Sequence, residues 1–454
     1  MRVSSDGGTP QPATTLTDDE VTHRWPQVLP GARAILYTAH NRTNNYADAN
    51  IVVQTLPNGP RKIVQRGGSF GRYVPSGHLV YVHKGTLFAA PFDLVALEVT
   101  DSGRPVIENI MEGISTGSAQ FAFAADGTAV YLPRQTSSTN LPIEWLTRDG
   151  KITPLRATRA NWSHPQFSPD GTRLAMDIID NGQTDIAVYD LARDRLTPLT
   201  FGAQPDRMPV WTPDGQRITF VSGRAADGRM NLYWVRADSG GEPQQLSDSA
   251  SLSAVAMGSW HPNGRSLAFQ VGSPNVTDVM ILPMEGNEAS GWKPGKPYAF
   301  LNTPAAESAP SFSRDGRWLA YQSNESGRIE VHVRPFPKRE GRWTVSNGGG
   351  QGPMWSRAKD ELLYLTLDNQ IMAASYTVVG DSLRVEAPKL WTERRILRSP
   401  GFPTLRPMMD LHPDGERVAG AVATESQAED RQDNVVFIFN FFDELRRIAP
   451  ATKH

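Results

Sequence analysis

The sequence predicts an all-β chain of about nine four-stranded repeats, the architecture of a β-propeller, and three observations predict it. The turn Ser168-Pro169-Asp170-Gly171, flanked by short apolar runs, returns along the whole chain. Its glycines recur at 31, 77, 127, 171, 215, 264, 316 and 415, mostly in steps of 44 to 52 residues. That is close to the roughly 40–50 residues of one four-stranded blade. The 454 residues also include 39 Gly and 35 Pro, which suits an all-β fold with many tight turns.

The turn comes first because it sets the hairpin. Proline presets φ at the second slot of a type I turn, Asp hydrogen-bonds nearby backbone, and glycine accepts the left-handed conformation that follows. A type I turn followed by such a glycine joins two antiparallel strands. The clearest copies are Phe167 to Gly171, Trp211 to Gly215, Trp260 to Gly264 and Phe312 to Gly316. Pro353-Met354-Trp355-Ser356-Arg357 is a degenerate copy, and Leu411 to Gly415 is the last. The Ser/Thr/His, Pro/Arg and Asp/Asn exchanges at these slots are ones that a turn tolerates, so Asp170, Asp214, Asp315 and Asp414 are assigned to the fold.

After each turn comes a second strand such as Leu174-Ala175-Met176 or Leu319-Ala320-Tyr321, apolar without strict alternation. Runs of this kind fit strands covered on both faces, as face-to-face packing in a ring provides. A third strand follows (Asp185 to Tyr189, Asn231 to Val235, Asp278 to Leu282, Ile329 to Val333) and then a short fourth, as in Arg195 to Leu199. Residues 1–16 hold only the outer part of a blade. The last unit shows a third strand, Val435 to Phe439, without a fourth, so an N-terminal segment is expected to complete it and remove both edges. Phe441 to Ala449 reads as a short helix with Phe442, Leu445 and Ile448 on one side. The repeats are expected to run as one continuous array over 1–454. The alternative subdivision is three N-terminal blades over 1–140 and a six-bladed propeller over 141–454.

The totals exclude several function classes. Lys plus Arg number 46 against 48 Asp plus Glu, so no charge excess points to nucleic acid or an anionic membrane. The chain has no cysteine, which removes disulfides, thiolate nucleophiles and Cys-based metal sites. The first residues lack an apolar run of signal-peptide length, and no stretch is long and apolar enough for a membrane span.

With these motifs in place, the chain resembles the TolB-like, WD-repeat-like propellers. A wider likeness rests on His23 to Gln27, Gly85 to Asp93, Asp315 to Tyr321, Ser326 to Val331, Arg334 to Pro337 and Asp443 to Arg447. These segments resemble the C-terminal propeller region of acidobacterial-type bacterial serine/threonine protein kinases. The resemblance implies a sensor region on the extracytoplasmic (periplasmic) side. The chain lacks the kinase glycine-rich loop, the His-Arg-Asp loop and the Asp-Phe-Gly triplet, so no kinase activity is carried over.

No catalytic constellation stands out. Gly67-Gly68-Ser69-Phe70-Gly71 matches the Gly-x-Ser-x-Gly elbow, but a strand follows it where the elbow needs a helix. His261 and His412 occupy the first slot of the turn on different blades and read as turn residues. No metal-ligand motif is present, and no cofactor is expected. Trp211, Trp260, Trp318 and Trp355 fall inside repeat strands and read as core. The candidate site is positional: segments leading into the innermost strand face one mouth of a propeller's channel. These segments carry His23, Arg24, Arg72, His164, Asp206, Arg207, Glu307, Gln351 and Arg406. Of these, Arg24, Arg72, His164, Arg207, Glu307, Gln351 and Arg406 form the expected ligand-binding rim. Its basic bias suits a carboxylate held by charge-assisted hydrogen bonds. The leading expectation is a non-catalytic module binding a protein, peptide or small ligand. A propeller hydrolase or lyase, and a scaffold without a ligand, are the alternatives.

Overall fold

In the computed structural model the repeat turns that begin on Ser or Thr and carry Asp at the third slot close in the same way. The Ser168 hydroxyl donates to Asp170 Oδ1 (2.5 Å), Gly171 N–H donates to the Ser168 carbonyl (2.9 Å), and Thr172 N–H donates to Asp170 Oδ1 (3.0 Å). Thr212 with Asp214 and Ser313 with Asp315 repeat the hydroxyl–carboxylate bond at 2.6 Å. Gly171 and Gly316 take φ of 74° and 71°, as the turn requires. They meet a second constraint that the sequence does not display. A Cβ on Gly171 would lie 2.6 Å from His412 Nε2 of the neighbouring turn, and one on Gly316 would collide with the His261 ring. His261 and His412 are therefore wedges between adjacent turns.

The structure describes the chain except residues 4, 42–45, 114–115, 134–139, 181–182, 203, 226–228, 239–240, 248–254, 274–275, 339, 398–407, 424–434 and 451–454. The chain divides into two compact units, Met1–Ser137 with Asp430–His454, and Ser138–Glu429.

In the second unit the described strands form six antiparallel sheets. Sheet one runs Trp162–Phe167, Arg173–Asp180, Gln183–Asp190 and Arg195–Pro198. Sheets two to five begin with Asp206–Trp211, Val255–Trp260, Glu307–Phe312 and Gln351–Trp355, each pairing outward in chain order. Sheet six takes its two inner strands, Met409–Leu411 and Arg417–Gly420, from the end of the unit. Its two outer strands, Leu141–Thr147 and Ile152–Ala160, come from the beginning. The inner strands pack in succession, and Met409–Leu411 packs against Trp162–Phe167. Asp410 Oδ2 accepts the Phe167 N–H (2.7 Å), tying sheet six to sheet one.

The strands that complete the last repeat thus come from residues 141–160, where the sequence suggested residues 1–16. The Val435–Phe439 run also finds another partner. Val436–Ile438 pairs with Ala129–Tyr131 in the first unit. Local pattern identifies a strand, but its partner is whichever edge its apolar face can cover, and that is a non-local choice.

In the first unit Glu20–Val28, Ala34–Asn41, Asn50–Thr55 and Arg61–Arg66 form one meander, and Ser69–Val74, His78–His83 and Thr86–Asp93 begin a second. The helix Phe441–Ile448 buries Phe441, Phe442 and Leu445 against Val74, Val80, Leu87 and Ile107. Asp443 and Glu444 in its first turn and Arg446 and Arg447 in its last complement the helix dipole. Second strands are buried on both faces, as the unalternating pattern required: Trp318–Ser323 has no partly exposed residue.

Candidate functional site

The inner strands share a feature at their start. Pairing with the second strand slips between Ser163 and Gln166, Arg207 and Val210, Ser308 and Ser311, and Gln351 and Met354. At each slip one residue turns left-handed: His164 (φ 49°), Met208 (58°), Ala309 (51°) and Gly352 (61°). Trp25 (56°) and Phe70 (55°) do the same in the first unit. A left-handed non-glycine residue costs about 1–2 kcal/mol, so neighbours must hold it. The Met208 N–H donates to Asp177 Oδ1 (3.1 Å), the Ala309 N–H to Gln270 Oε1 (2.9 Å) and the Gly352 N–H to Gln322 Oε1 (2.8 Å). In the first unit the Phe70 N–H donates to Thr38 Oγ1 (3.1 Å). Each acceptor is a buried polar residue on the second strand of the preceding sheet. Sequence reading missed these staples. Their signal was one polar residue at a fixed slot after an apolar run: Asp177 after Leu-Ala-Met, Gln270 after Leu-Ala-Phe, Gln322 after Leu-Ala-Tyr.

The described members of the expected rim sit at this level, each within its own unit. In the first unit Arg72 Nη1 donates to the Trp25 and Gly71 carbonyls (2.7 and 2.9 Å), and its guanidinium lies 4.2 Å from the Phe70 ring centroid. Burial lowers its pKa. Arg24 Nη1 donates to the Thr116 carbonyl at 3.5 Å. His23 contacts Glu20 Oε2 at 3.1 Å, and Arg61 binds the same carboxylate. Burial alone would raise Glu20, but hydrogen bonds from Arg61, the Thr17 N–H and His23 outweigh it and hold the carboxyl at about 2.

In the second unit His164 Nδ1 lies 2.8 Å from Asp177 Oδ2, with both side chains buried. Arg207 is half-buried; burial lowers its pKa, and the Asp177 carboxylate opposes that shift. Asp177 therefore gathers His164, Arg207 and the Met208 N–H. Asp206 binds Arg224 through Oδ2 (2.5 Å), while its buried Oδ1 has no partner among the described residues. Glu307 accepts the Thr303 hydroxyl and keeps Oε2 buried without a partner among the described residues. Burial raises the Glu307 pKa against the Thr303 bond, and the Asp278 and Glu325 carboxylates push it the same way. Gln351 Nε2 donates to the Thr366 carbonyl (3.3 Å). Arg406 lies outside the described residues. The structure thus joins His164 and Arg207 through Asp177 and leaves Glu307 and Gln351 at their own sheets.

A cavity of the second unit lies further along the same strands. A channel of about 400 Å³ runs between the inner strands, lined by Trp211, Trp260, Ala309, Ser311, Gly352 and Met354. Its wall continues to the repeat turns at Pro169, Pro213, Pro262, Arg314 and Arg357, with Asp410 beside them. None of the six expected rim residues that the structure describes lines it. Arg357 Nη1 lies 3.4 Å from the Ser168 carbonyl, and Arg314 Nη2 pairs with Asp360 Oδ1 (2.7 Å). Among the described residues no group of three or more His, Cys, Asp or Glu side chains converges with metal-binding geometry. Ser69 of the Gly-x-Ser-x-Gly match is buried at the start of a strand.

With this geometry established, comparison with known proteins becomes informative. Residues 121–291 match the TolB beta propeller domain (PD40). A curated relative, the uncharacterized peptidase YuxL of Bacillus subtilis, is 27% identical over 194 residues, 35% of this chain and 29% of that protein. A TolB homolog of Chlorobium luteolum is 28% identical over 131 residues, 28% of each chain. The matched segments therefore span under a third of these two relatives. The uncharacterized protein Atu1656 of Agrobacterium fabrum is 26% identical over 246 residues, 49% of this chain and 73% of that protein. Among solved structures, a putative TolB from Agrobacterium tumefaciens has a TM-score of 0.47 at 16% identity, covering 62% of this chain and 97% of its own. Among the described residues no helix is long and apolar enough to cross a membrane. Sheets and matched segment agree: this is an all-β protein of propeller blades, with a TolB-like PD40 repeat region over residues 121–291.

Proposed function

We propose that the second unit is a non-catalytic binding module that takes part of a protein, a peptide or a small ligand into its central channel. The observation that carries this reading is the channel itself, about 400 Å³ between six inner strands. That volume falls within the range of small-molecule sites. Of the expected rim at His164, Arg207, Glu307 and Gln351, the half-buried Arg207 would then guide a ligand towards the channel from the strand-start side, the other three being buried. The resemblance to kinase-linked propellers supports a sensor role on the extracytoplasmic side.

A hydrolase or lyase would need its acid and base to reach a bound substrate. His164 beside Asp177 has the chemistry of an oriented base, but its side chain is 1% exposed and does not line the channel. The binding reading is therefore preferred. It is tested by screening the full chain against peptide and oligosaccharide panels, with Ser311→Trp as a channel plug. Ser311 lines the channel and is only partly buried. The plug should abolish binding of any ligand found; unchanged affinity would place that ligand elsewhere.

A further inference from the structure

The two departures from the repeat turn stand side by side at one mouth of the channel. The second slot of the turn holds Pro169, Pro213, Pro262 and Pro413 in four sheets, but Arg314 and Arg357 in sheets four and five. Proline at this slot is preorganised for the turn, so each arginine gives up a local advantage. The slot points inward: Pro169, Pro213, Pro262, Arg314 and Arg357 all line the channel.

Arg357 is exposed at the channel mouth, where a guanidinium can meet a ligand. It extends past the turn of sheet six, and Nη1 reaches the Ser168 carbonyl of sheet one at 3.4 Å. A guanidinium has five donors in a fork that fits a carboxylate or phosphate. The described residues give Arg357 no ion pair within 4 Å. It keeps solvent contact at the mouth, yet the surrounding wall lowers its pKa by desolvation, with Asp410 and Asp170 opposing the shift. Both carboxylates are committed to backbone and hydroxyl donors. Asp410 Oδ2 accepts the Phe167 N–H (2.7 Å), and Asp170 Oδ1 accepts from Ser168 and Thr172. Among the described residues Arg314 pairs with the exposed Asp360, a solvent-screened contact that is readily shared with a ligand.

We propose that the turn-side mouth of the channel is an oxyanion subsite, in which Arg357, with Arg314 beside it, binds a carboxylate or phosphate group of the channel ligand. This rests on the reading that the channel admits a ligand, and it adds a chemical class and an end. The group would enter between the turns and draw the Arg357 fork away from the Ser168 carbonyl into a paired, charge-assisted contact.

The test uses the full chain, with sodium phosphate and sodium succinate as probes, titrated calorimetrically against sodium chloride at constant ionic strength. Saturable binding of at least one probe is expected. Arg357→Ala should weaken it about 10-fold or more, as loss of a charge-assisted contact does, and Arg314→Ala by a smaller factor. Arg357→Lys should recover part of the loss, which separates lost charge from a damaged fold. Arg193→Ala, far more exposed at 78%, should bind like wild type. A preference for phosphate assigns a phosphoryl group and a preference for succinate a carboxylate. No saturable binding, or equal affinity in wild type and Arg357→Ala, would overturn the subsite. That result leaves the channel reading standing if the Ser311→Trp plug still blocks a larger ligand. Conversely, Arg357-dependent phosphate binding with no effect of the plug on that ligand keeps the subsite and removes the channel reading.

Discussion

At the turn end of the inner strands polar groups satisfy one another within five residues, as Ser168, Asp170 and Arg173 do. At the level where those strands start, polar side chains of the second strands reach into the next sheet, as Asp177 reaches Met208 and Gln322 reaches Gly352. A self-sufficient turn can be read from one stretch of sequence and tolerates exchange at its second slot. An inter-sheet staple cannot be read that way and tolerates little. The difference teaches where variation is free to serve binding. The start of the strands is polar because the fold needs it, whereas the arginines at the turn end serve no comparable structural need.

Mutations break this comparison in order of size. Asp177→Ala should be most costly, because it strands both His164 Nδ1 and the Met208 N–H in a buried setting. At about 1–3 kcal/mol for each unsatisfied group, the expected loss is about 2–5 kcal/mol in urea unfolding. Gly171→Ala should cost less, about 1–3 kcal/mol, from left-handed strain together with displacement of the His412 ring. Ser168→Ala should cost about 1 kcal/mol, because only the local hydroxyl network is lost. If Ser168→Ala proved worse than Asp177→Ala, the proposed contrast between the two ends would be wrong.

Two carboxylates sharpen the comparison through pH. Glu307 has a raised pKa, so its protonated form favours folding. That contribution is complete below the ordinary carboxyl value of 4.5 and is lost as pH rises through the raised value. Glu307→Gln should flatten this dependence in thermal melts across pH 4 to 8. Glu20 in the first unit has the opposite sign. Held at about 2, it contributes stability above 4.5 that disappears as pH falls towards 2, and Glu20→Gln should remove that acid limb. The smallest expected effect is on ligand binding by Arg24→Ala and Arg72→Ala. Both arginines are tied to backbone carbonyls of the first unit, so affinity at the channel should stay within about twofold, under 0.5 kcal/mol.

Much of the fold was legible because its signals are local. Ser168 to Gly171 states its turn, Leu319 to Tyr321 states a covered strand, and Phe442 with Leu445 states one helix face. Partner choice was not legible. Val436–Ile438 pairs with Ala129–Tyr131, and sheet six is completed by residues 141–160. For the site, sequence position identified one level of the inner strands but not which side chains the fold already uses there. Arg72 reads as a ligand handle in the sequence, and in the fold it donates to the Trp25 and Gly71 carbonyls. Arg314 and Arg357 were visible as departures from Ser-Pro-Asp-Gly, but only three dimensions show that their slot lines a channel.

The most direct test of the account observes the two guanidinium groups themselves. Phosphate is titrated into the full chain while the Nε–Hε resonances of Arg314 and Arg357 are followed, assigned by Arg→Lys substitution, with Arg193 as the exposed reference. The account predicts that both mouth resonances shift and saturate at a common midpoint while Arg193 drifts without saturation. If all three drift alike, or if neither mouth resonance moves, the turn-side mouth binds no oxyanion and the central claim fails.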